Sequence, residues 1–197
     1  MKLQHHLALC AVAAAVLAAA PLQASAQTTV YEFGQLLSGD GAPEQLDFAT
    51  LSATLSGSDV QFTLDAHGLD LFDGTQPFLG ALAVDGDRVG SVGSVSGDAP
   101  VRMAKGGGPN GSWEFRFDFT DKKKARLTDD ETVSWTWIGG AGHFTDFAAH
   151  VQGIDYGGTT SAWYQAVAVP EPGAYAMFLS GLVVLGASAV RRRRLGG

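Results

Sequence analysis

The chain has 197 residues, 46% of them hydrophobic, with 13 basic and 20 acidic residues and a formal net charge of −7. This acidity disfavours nucleic acid and anionic lipid as partners, because both repel a negatively charged surface. The single cysteine, Cys10, lies in the apolar N-terminal stretch, which excludes disulfides and cysteine-ligated metals from the rest of the chain.

The first 26 residues have the pattern of a secretory signal peptide. A weakly basic start at Lys2 precedes the apolar run 7–20, and Ala24 and Ala26 are the small residues that signal peptidase accepts. Cleavage by signal peptidase after Ala26 would leave Gln27 as the new N-terminus. The alternative is an uncleaved membrane anchor.

Residues 27–168 are predicted to form one β domain. Apolar and polar residues alternate along 60–65, 113–119 and 133–137, as they do in half-buried antiparallel strands. Glycine-rich turns separate these segments from further predicted strands at 30–37, 46–55, 78–84, 101–105, 147–154 and 162–169. Eight or nine short strands predict an all-β fold, an antiparallel β-sandwich with a jelly roll as one candidate topology.

A basic cluster at 121–126 lies between two of the aromatic strands. Runs of charge are usually solvated, so this segment is expected to be a solvated hairpin loop. The alternative is that the cluster contacts an acidic polysaccharide.

The predicted β domain at 27–168, which we call the body, shows no recognisable catalytic or metal-binding pattern. His67, His143 and His150 lack the spacing of a zinc site, and His150 is expected to be exposed on its strand. The Asp-Gly-Asp segment at 85–87 lacks the further ligands of an EF-hand, which leaves only a looser calcium site open. Two carboxylates would serve glycoside cleavage, but the sequence singles out no pair of them. We therefore predict no catalytic residue, no metal ligand and no cofactor.

Aromatic residues offer the one candidate contact to a ligand. Most of the four tryptophans lie on the apolar face of an alternating strand, which favours packing in the core. Trp163 and Tyr164 are adjacent in a predicted strand and must point to opposite faces, so one of them is expected to be exposed. These two residues are the candidate glycan contacts.

Residues 169–197 follow an order that a globular core does not require. Pro170, Glu171 and Pro172 cannot continue a sheet, because proline lacks a hydrogen-bond donor and has a fixed φ, and they predict an accessible linker. Residues 174–190 carry no charge and would span about 25 Å as a helix, slightly less than the ~30 Å hydrocarbon core. The apolar run is followed by Arg191, Arg192, Arg193 and Arg194. These arginines predict a stop-transfer signal that stays in the cytoplasm, with the body on the other side of the inner membrane.

This tail resembles the PEP-CTERM sorting signal, with Pro-Glu-Pro, an apolar helix and a terminal arginine cluster in the same order. The resemblance implies a Gram-negative bacterium that makes exopolysaccharide. It also implies an exosortase that recognises Pro170, Glu171 and Pro172 and processes the tail. The protein would be held in the inner membrane before processing, and then released or attached at the cell surface or in the biofilm matrix. The alternative is an ordinary C-terminal membrane anchor.

A sorting signal indicates a pathway and leaves the activity open. The leading hypothesis is an exported, non-enzymatic protein of the cell surface or extracellular matrix that is associated with exopolysaccharide. The second hypothesis is a glycan-binding module that uses Trp163 or Tyr164. The third is a secreted glycoside hydrolase.

Overall fold

The computed structural model describes residues 26–111, 113–120 and 125–170. Of the predicted cleavage and sorting residues, Ala26 and Pro170 lie within these ranges. Ala24, Glu171, Pro172, the predicted helix at 174–190 and the four arginines lie outside them. Within the described ranges, no helix has the length and apolarity needed to cross a membrane.

The described residues form ten strands and two short 3₁₀ helices, at Leu69–Leu71 and Pro109–Gly111. The strands are β1 (Thr28–Ser38), β2 (Gln45–Ser56), β3 (Asp59–Ala66), β4 (Phe78–Gly86), β5 (Ser91–Gly97), β6 (Arg102–Lys105), β7 (Phe115–Asp118), β8 (Glu131–Ile138), β9 (Phe144–Tyr156) and β10 (Thr159–Val169). Nine of them coincide with the predicted segments. The sequence prediction misses β5, because its Ser-Val-Gly-Ser-Val-Ser-Gly sequence carries only two apolar side chains and is largely exposed.

All ten strands belong to one antiparallel sheet, in the order β5-β8-β3-β2-β1-β10-β9-β4-β7-β6. The first and last strands pair at its centre, where Val30 faces Val169. The two edge strands, β5 and β6, approach each other, so the sheet is nearly barrel-shaped. The prediction of an antiparallel all-β fold is confirmed. The two separate sheets of a sandwich or jelly roll are not found among the described strands.

The interior of the curved sheet is an aromatic core. The ring of Phe62 in β3 lies 5.0 Å from that of Trp135 in β8 and 5.7 Å from that of Phe147 in β9. Phe117 of β7 lies 5.3 Å from Trp135, and Trp137 is also fully buried. Tilted and edge-on aromatic contacts at such distances stabilise a core beyond the burial of area alone. The sheet has two halves, β5-β8-β3-β2-β1 and β10-β9-β4-β7-β6. The aromatic faces of strands from both halves therefore meet in the interior.

The connection between β7 and β8 is not the hairpin loop that the basic cluster predicts. β7 pairs with β4 and β6, whereas β8 pairs with β3 and β5, so the chain crosses from one half of the sheet to the other. Residues 121–124 lie outside the described ranges. On either side of them Phe119 and Leu127 are buried, and Leu127 forms an isolated β-bridge with Leu79. The connection is therefore anchored in the core at both ends.

Candidate ligand-binding cleft

A cleft of about 330 Å³ lies on the outer face of β10, β9, β4 and β7, the face that points away from the aromatic core. This volume is at the lower end of the range of about 300–1,000 Å³ that is usual for small-ligand sites. Its polar and aromatic lining residues are Arg116, Asp118, Thr120, His150, Gln152 and Trp163.

Strand register brings residues that are distant in sequence into one row of this cleft. Trp163 is paired with His150, His150 with Ala81, and Ala81 with Asp118. Residues directly opposite each other in antiparallel strands point to the same face, so these four side chains share the outer face. The neighbour of Trp163 in β10, Tyr164, points into the core.

Trp163 and His150 form the first wall of the cleft. Their rings are stacked, with centroids 4.2 Å apart and planes inclined by 4°. Burial of the imidazole and, to a lesser extent, the charge of Arg116 lower the pKa of His150 to about 4, while Asp118 acts in the opposite direction. At neutral pH the imidazole is therefore uncharged, with one nitrogen that donates a hydrogen bond and one that accepts.

Arg116 and Asp118 form the opposite wall. Nε of Arg116 donates to Oδ1 of Asp118 at 2.5 Å, and Nη2 donates to Oδ2 at 3.4 Å. Nη1 donates to the carbonyl oxygen of Gly106 at 2.8 Å. These bonds hold the guanidinium in one orientation, and the pair carries no net charge.

Small residues leave the space between the two walls. Ala81, which lies between His150 and Asp118 in the row, contributes only a methyl group. A Cβ at Gly80 would clash with the amide end of Gln152, which shows that this side chain lies across the glycine. Gly107 has a φ of +92°, and a Cβ there would clash with the guanidinium of Arg116. A side chain at either glycine would displace a polar group of the cleft.

The structure separates the two predicted glycan contacts. Trp163 is half-buried and lines the cleft, whereas Tyr164 is fully buried. The hydroxyl of Tyr164 donates to the carbonyl oxygen of Pro43 at 3.1 Å, its ring lies 5.0 Å from that of Phe48, and burial raises its pKa. Of the two, only Trp163 can reach a ligand in this conformation.

His150, Arg116, Asp118 and Gln152 are absent from the predicted site residues. The prediction that His150 is exposed is wrong, because the indole of Trp163 covers one face of its ring. Arg116 and Asp118 alternate with buried phenylalanines in β7, which is a signal for the outer face. The sequence contains no signal that β7 lies within reach of β9 and β10.

Among the described residues, no group of three or more His, Cys, Asp or Glu side chains could hold a metal ion. Asp87 of the 85–87 segment and the two other histidines form single Asp–His pairs. Oδ2 of Asp87 lies 3.3 Å from Nδ1 of His143, and Oδ1 of Asp47 lies 3.1 Å from Nε2 of His67. The looser calcium site at 85–87 gains no support from this arrangement.

The last strand ends where the predicted sorting segment begins. Val169 is paired with Val30 at the centre of the sheet, and the exposed Pro170 follows it. Proline has no N–H group, so the ladder stops there. The carbonyl oxygen of Gln27, just before β1, accepts a bond of 2.9 Å from the amide of Leu55. The predicted mature N-terminus and the tail therefore leave the sheet at the same end.

Comparison with protein families identifies this tail. A family described as the PEP-CTERM protein-sorting motif matches residues 168–194. The chain carries a PEP-CTERM sorting motif. The resemblance read from Pro170, Glu171, Pro172 and the arginine cluster is thereby confirmed. The motif marks an exported protein that an exosortase processes at the membrane and directs to the cell envelope.

Other comparisons add little to this finding. No curated protein matches the sequence of the PEP-CTERM chain. It is similar to a solved structure from work on the pH-induced modulation of Streptococcus parasanguinis adhesion by Fap1 fimbriae. The identity is 10% and the TM-score is 0.43, over 73% of this chain and 94% of that one. A similarity of this size says nothing of what the chain binds.

Proposed function

We propose that this PEP-CTERM protein is a non-enzymatic component of the cell surface or extracellular matrix that associates with exopolysaccharide. The observation that carries the proposal is the sorting motif at 168–194, which follows directly on the β domain. Its host is then a Gram-negative producer of exopolysaccharide, and processing delivers the β domain to the biofilm matrix. The acidity of the chain is consistent with a role outside the membrane and away from nucleic acid.

The chemistry of the cleft supports a role without catalysis. Glycoside hydrolysis usually needs two carboxyl groups on either side of the scissile bond. Among the described residues that line the cleft, Asp118 is the one carboxylate, and Arg116 holds both of its oxygens. A glycan-binding module is the second candidate function, and the half-buried Trp163 in a polar cleft favours it over a hydrolase.

Replacement of Pro170, Glu171 and Pro172 by alanine tests the sorting step. We expect a precursor that keeps its arginines and stays in the inner membrane, because the exosortase no longer recognises it. Intact mass and fractionation in the native host measure this outcome. The wild-type protein should begin at Gln27, end near Pro172 and be found outside the inner membrane.

A matched control carries three alanines in place of Ser91, Ser94 and Ser96 on the exposed edge strand β5, and should be processed normally. Normal processing of the Pro-Glu-Pro variant would contradict the sorting step. A turnover assay on polysaccharide extracted from the host tests the absence of catalysis. Product above background would make the protein a hydrolase, and its loss on Asp118→Asn would place the reaction in the cleft.

A further inference from the structure

We propose that the cleft between Trp163, His150 and the Arg116–Asp118 pair binds an uncharged, hydroxyl-rich segment of polysaccharide. This inference rests on the proposed association with exopolysaccharide and names the site and the chemical class of the ligand. On this inference the cleft binds neutral glycans more tightly than anionic ones, which are the other common class of bacterial polysaccharide.

The shape of the cleft suits a sugar ring. Trp163 covers the imidazole of His150 from the β10 side, so the opposite face of the imidazole lies on the β4 side, above Ala81. The faces of aromatic rings are slightly negative, and the C–H groups of a pyranose are slightly positive, so the two pack well. A ring seated above Ala81 would have the stacked wall on one side and the Arg116–Asp118 wall on the other.

The polar groups around this space match hydroxyls, which both donate and accept. The uncharged imidazole of His150 and the amide of Gln152 can each do both. A carboxylate has about four acceptor positions, so Asp118 keeps capacity beyond its two bonds to Arg116. The amide of Gln152 lies across Gly80, beside this space. Asp118 is held by Arg116, and the imidazole is held against the indole, before a ligand arrives, which lowers the entropy cost of binding.

The electrostatics of the cleft disfavour an anionic ligand. Arg116 is the one cation among the described residues that line it, and each of its three nitrogens is already bonded to Asp118 or Gly106. Among the described residues that line the cleft, no unpaired positive charge is left to compensate a carboxylate or a sulfate. The chain as a whole carries −7, which repels a polyanion at long range.

The test uses the processed protein isolated from its host and a set of probes. Dextran, galactomannan and cello-oligosaccharides are the neutral probes, and alginate is the anionic one. Titration calorimetry or affinity electrophoresis measures binding. We expect the wild-type protein to bind at least one neutral probe, and to bind alginate at least about tenfold more weakly, which corresponds to about 1.4 kcal/mol.

Variants assign the binding to the cleft. Gln152→Ala should weaken binding of the neutral probe about two- to tenfold, the range expected for one lost hydrogen bond. Its matched control is Gln61→Ala on the outer face of β3, where Gln61 is exposed and bonded to Thr136; that variant should bind like the wild type. Trp163→Ala should weaken binding more than Gln152→Ala does. Because Trp163→Ala also removes a stacked ring from the fold, Gln152→Ala is the variant that tests the inference.

Three results would overturn the inference. They are no binding to any neutral probe, tighter binding to alginate than to the neutral probes, and equal affinities for Gln152→Ala and Gln61→Ala. A protein that is processed normally but binds no neutral glycan refutes this inference alone. A protein that binds the neutral probe but keeps its arginines in the inner membrane refutes the proposed sorting and leaves the cleft assignment intact.

Discussion

The outer faces of the two halves of the sheet differ, although both are built from antiparallel strands. On β3 and β8, short polar side chains pair directly across the strands. The hydroxyls of Thr63 and Ser134 are 2.9 Å apart, and Thr136 donates to Gln61 at 2.8 Å. Both pairs are in register, so they form a regular ladder of polar groups. We call this outer face of β3 and β8 the ladder face.

On β10, β9, β4 and β7, large and small residues stand side by side. Ala81, Ala83 and Ala148 are almost completely buried on this outer face, although they do not belong to the aromatic core. Larger side chains beside them, among them Trp163 and Arg116, rise above the level of these alanines and enclose a depression. The cleft therefore results from contrast in side-chain size, together with the register shift at Gly80 between β4 and β9 and the positive-φ loop residue Gly107.

The largest change in the free energy of unfolding is expected when the large side chain of Trp163 is removed from the cleft. Trp163→Ala should lower the free energy of unfolding by about 2–3 kcal/mol, less than a fully buried tryptophan, because Trp163 is half-buried. It should also raise the pKa of His150 from about 4 towards its ordinary value of 6.5, since water then reaches the imidazole. Urea denaturation and an NMR titration of the histidine ring measure the two quantities.

The control for this variant lies on the ladder face. Gln61→Ala removes an exposed side chain with one hydrogen bond, and should change stability by no more than about 0.5 kcal/mol. If the pKa of His150 stays near 4 in Trp163→Ala, the stack is not what shields the imidazole, and the first wall of the cleft has been misassigned.

A second effect follows from the titration of His150. In the unfolded chain its pKa is about 6.5, and in the folded protein it is lowered to about 4 by burial and by Arg116. Between these values the unfolded state binds more protons than the folded state. The contribution of His150 to the free energy of unfolding is therefore fully present above pH 6.5 and decreases as the pH falls towards 4. Allowing for the part of the ring that solvent reaches, the loss is on the order of 2 kcal/mol.

His150→Gln isolates this contribution. Both proteins share all their carboxylates, so the difference between their unfolding free energies cancels the other titrations to first order. That difference should change between pH 6.5 and pH 4 and be constant from pH 6.5 to pH 8. Parallel curves over the whole range would mean that His150 titrates normally and that Arg116 and the indole do not act on it.

The sequence predicts single strands and the faces of their side chains, but not which strands lie side by side. Alternation of phenylalanine with Arg116 and Asp118 made β7 predictable and put both charges on its outer face, because the period of a strand is two. Opposite orientations of Trp163 and Tyr164 were predictable for the same reason. The cleft was not, since it depends on β4 lying between β7 and β9, a long-range pairing that no local pattern encodes. The single curved sheet escaped prediction for the same reason, because β1 and β10 meet at its centre from opposite ends of the domain.

The smallest change in the free energy of unfolding is expected at the wall formed by Arg116 and Asp118. Arg116→Lys keeps the charge but cannot make the three bonds that the guanidinium makes to Asp118 and Gly106, and it should cost about 1 kcal/mol. Thr136→Val, which removes one exposed bond on the ladder face, should cost no more than about 0.5 kcal/mol. Chemical denaturation in 0.1 M and 1 M salt compares the two.

Salt separates geometry from charge at this wall. Screening weakens a simple attraction between Arg116 and Asp118 but leaves the geometric advantage of a planar, three-way bonded guanidinium largely in place. The deficit of Arg116→Lys should therefore persist at 1 M salt. A deficit that disappears there would mean that Arg116 acts as a mobile surface charge. An anionic polymer could then recruit that charge, and the preference of the cleft for neutral glycans would lose its physical basis.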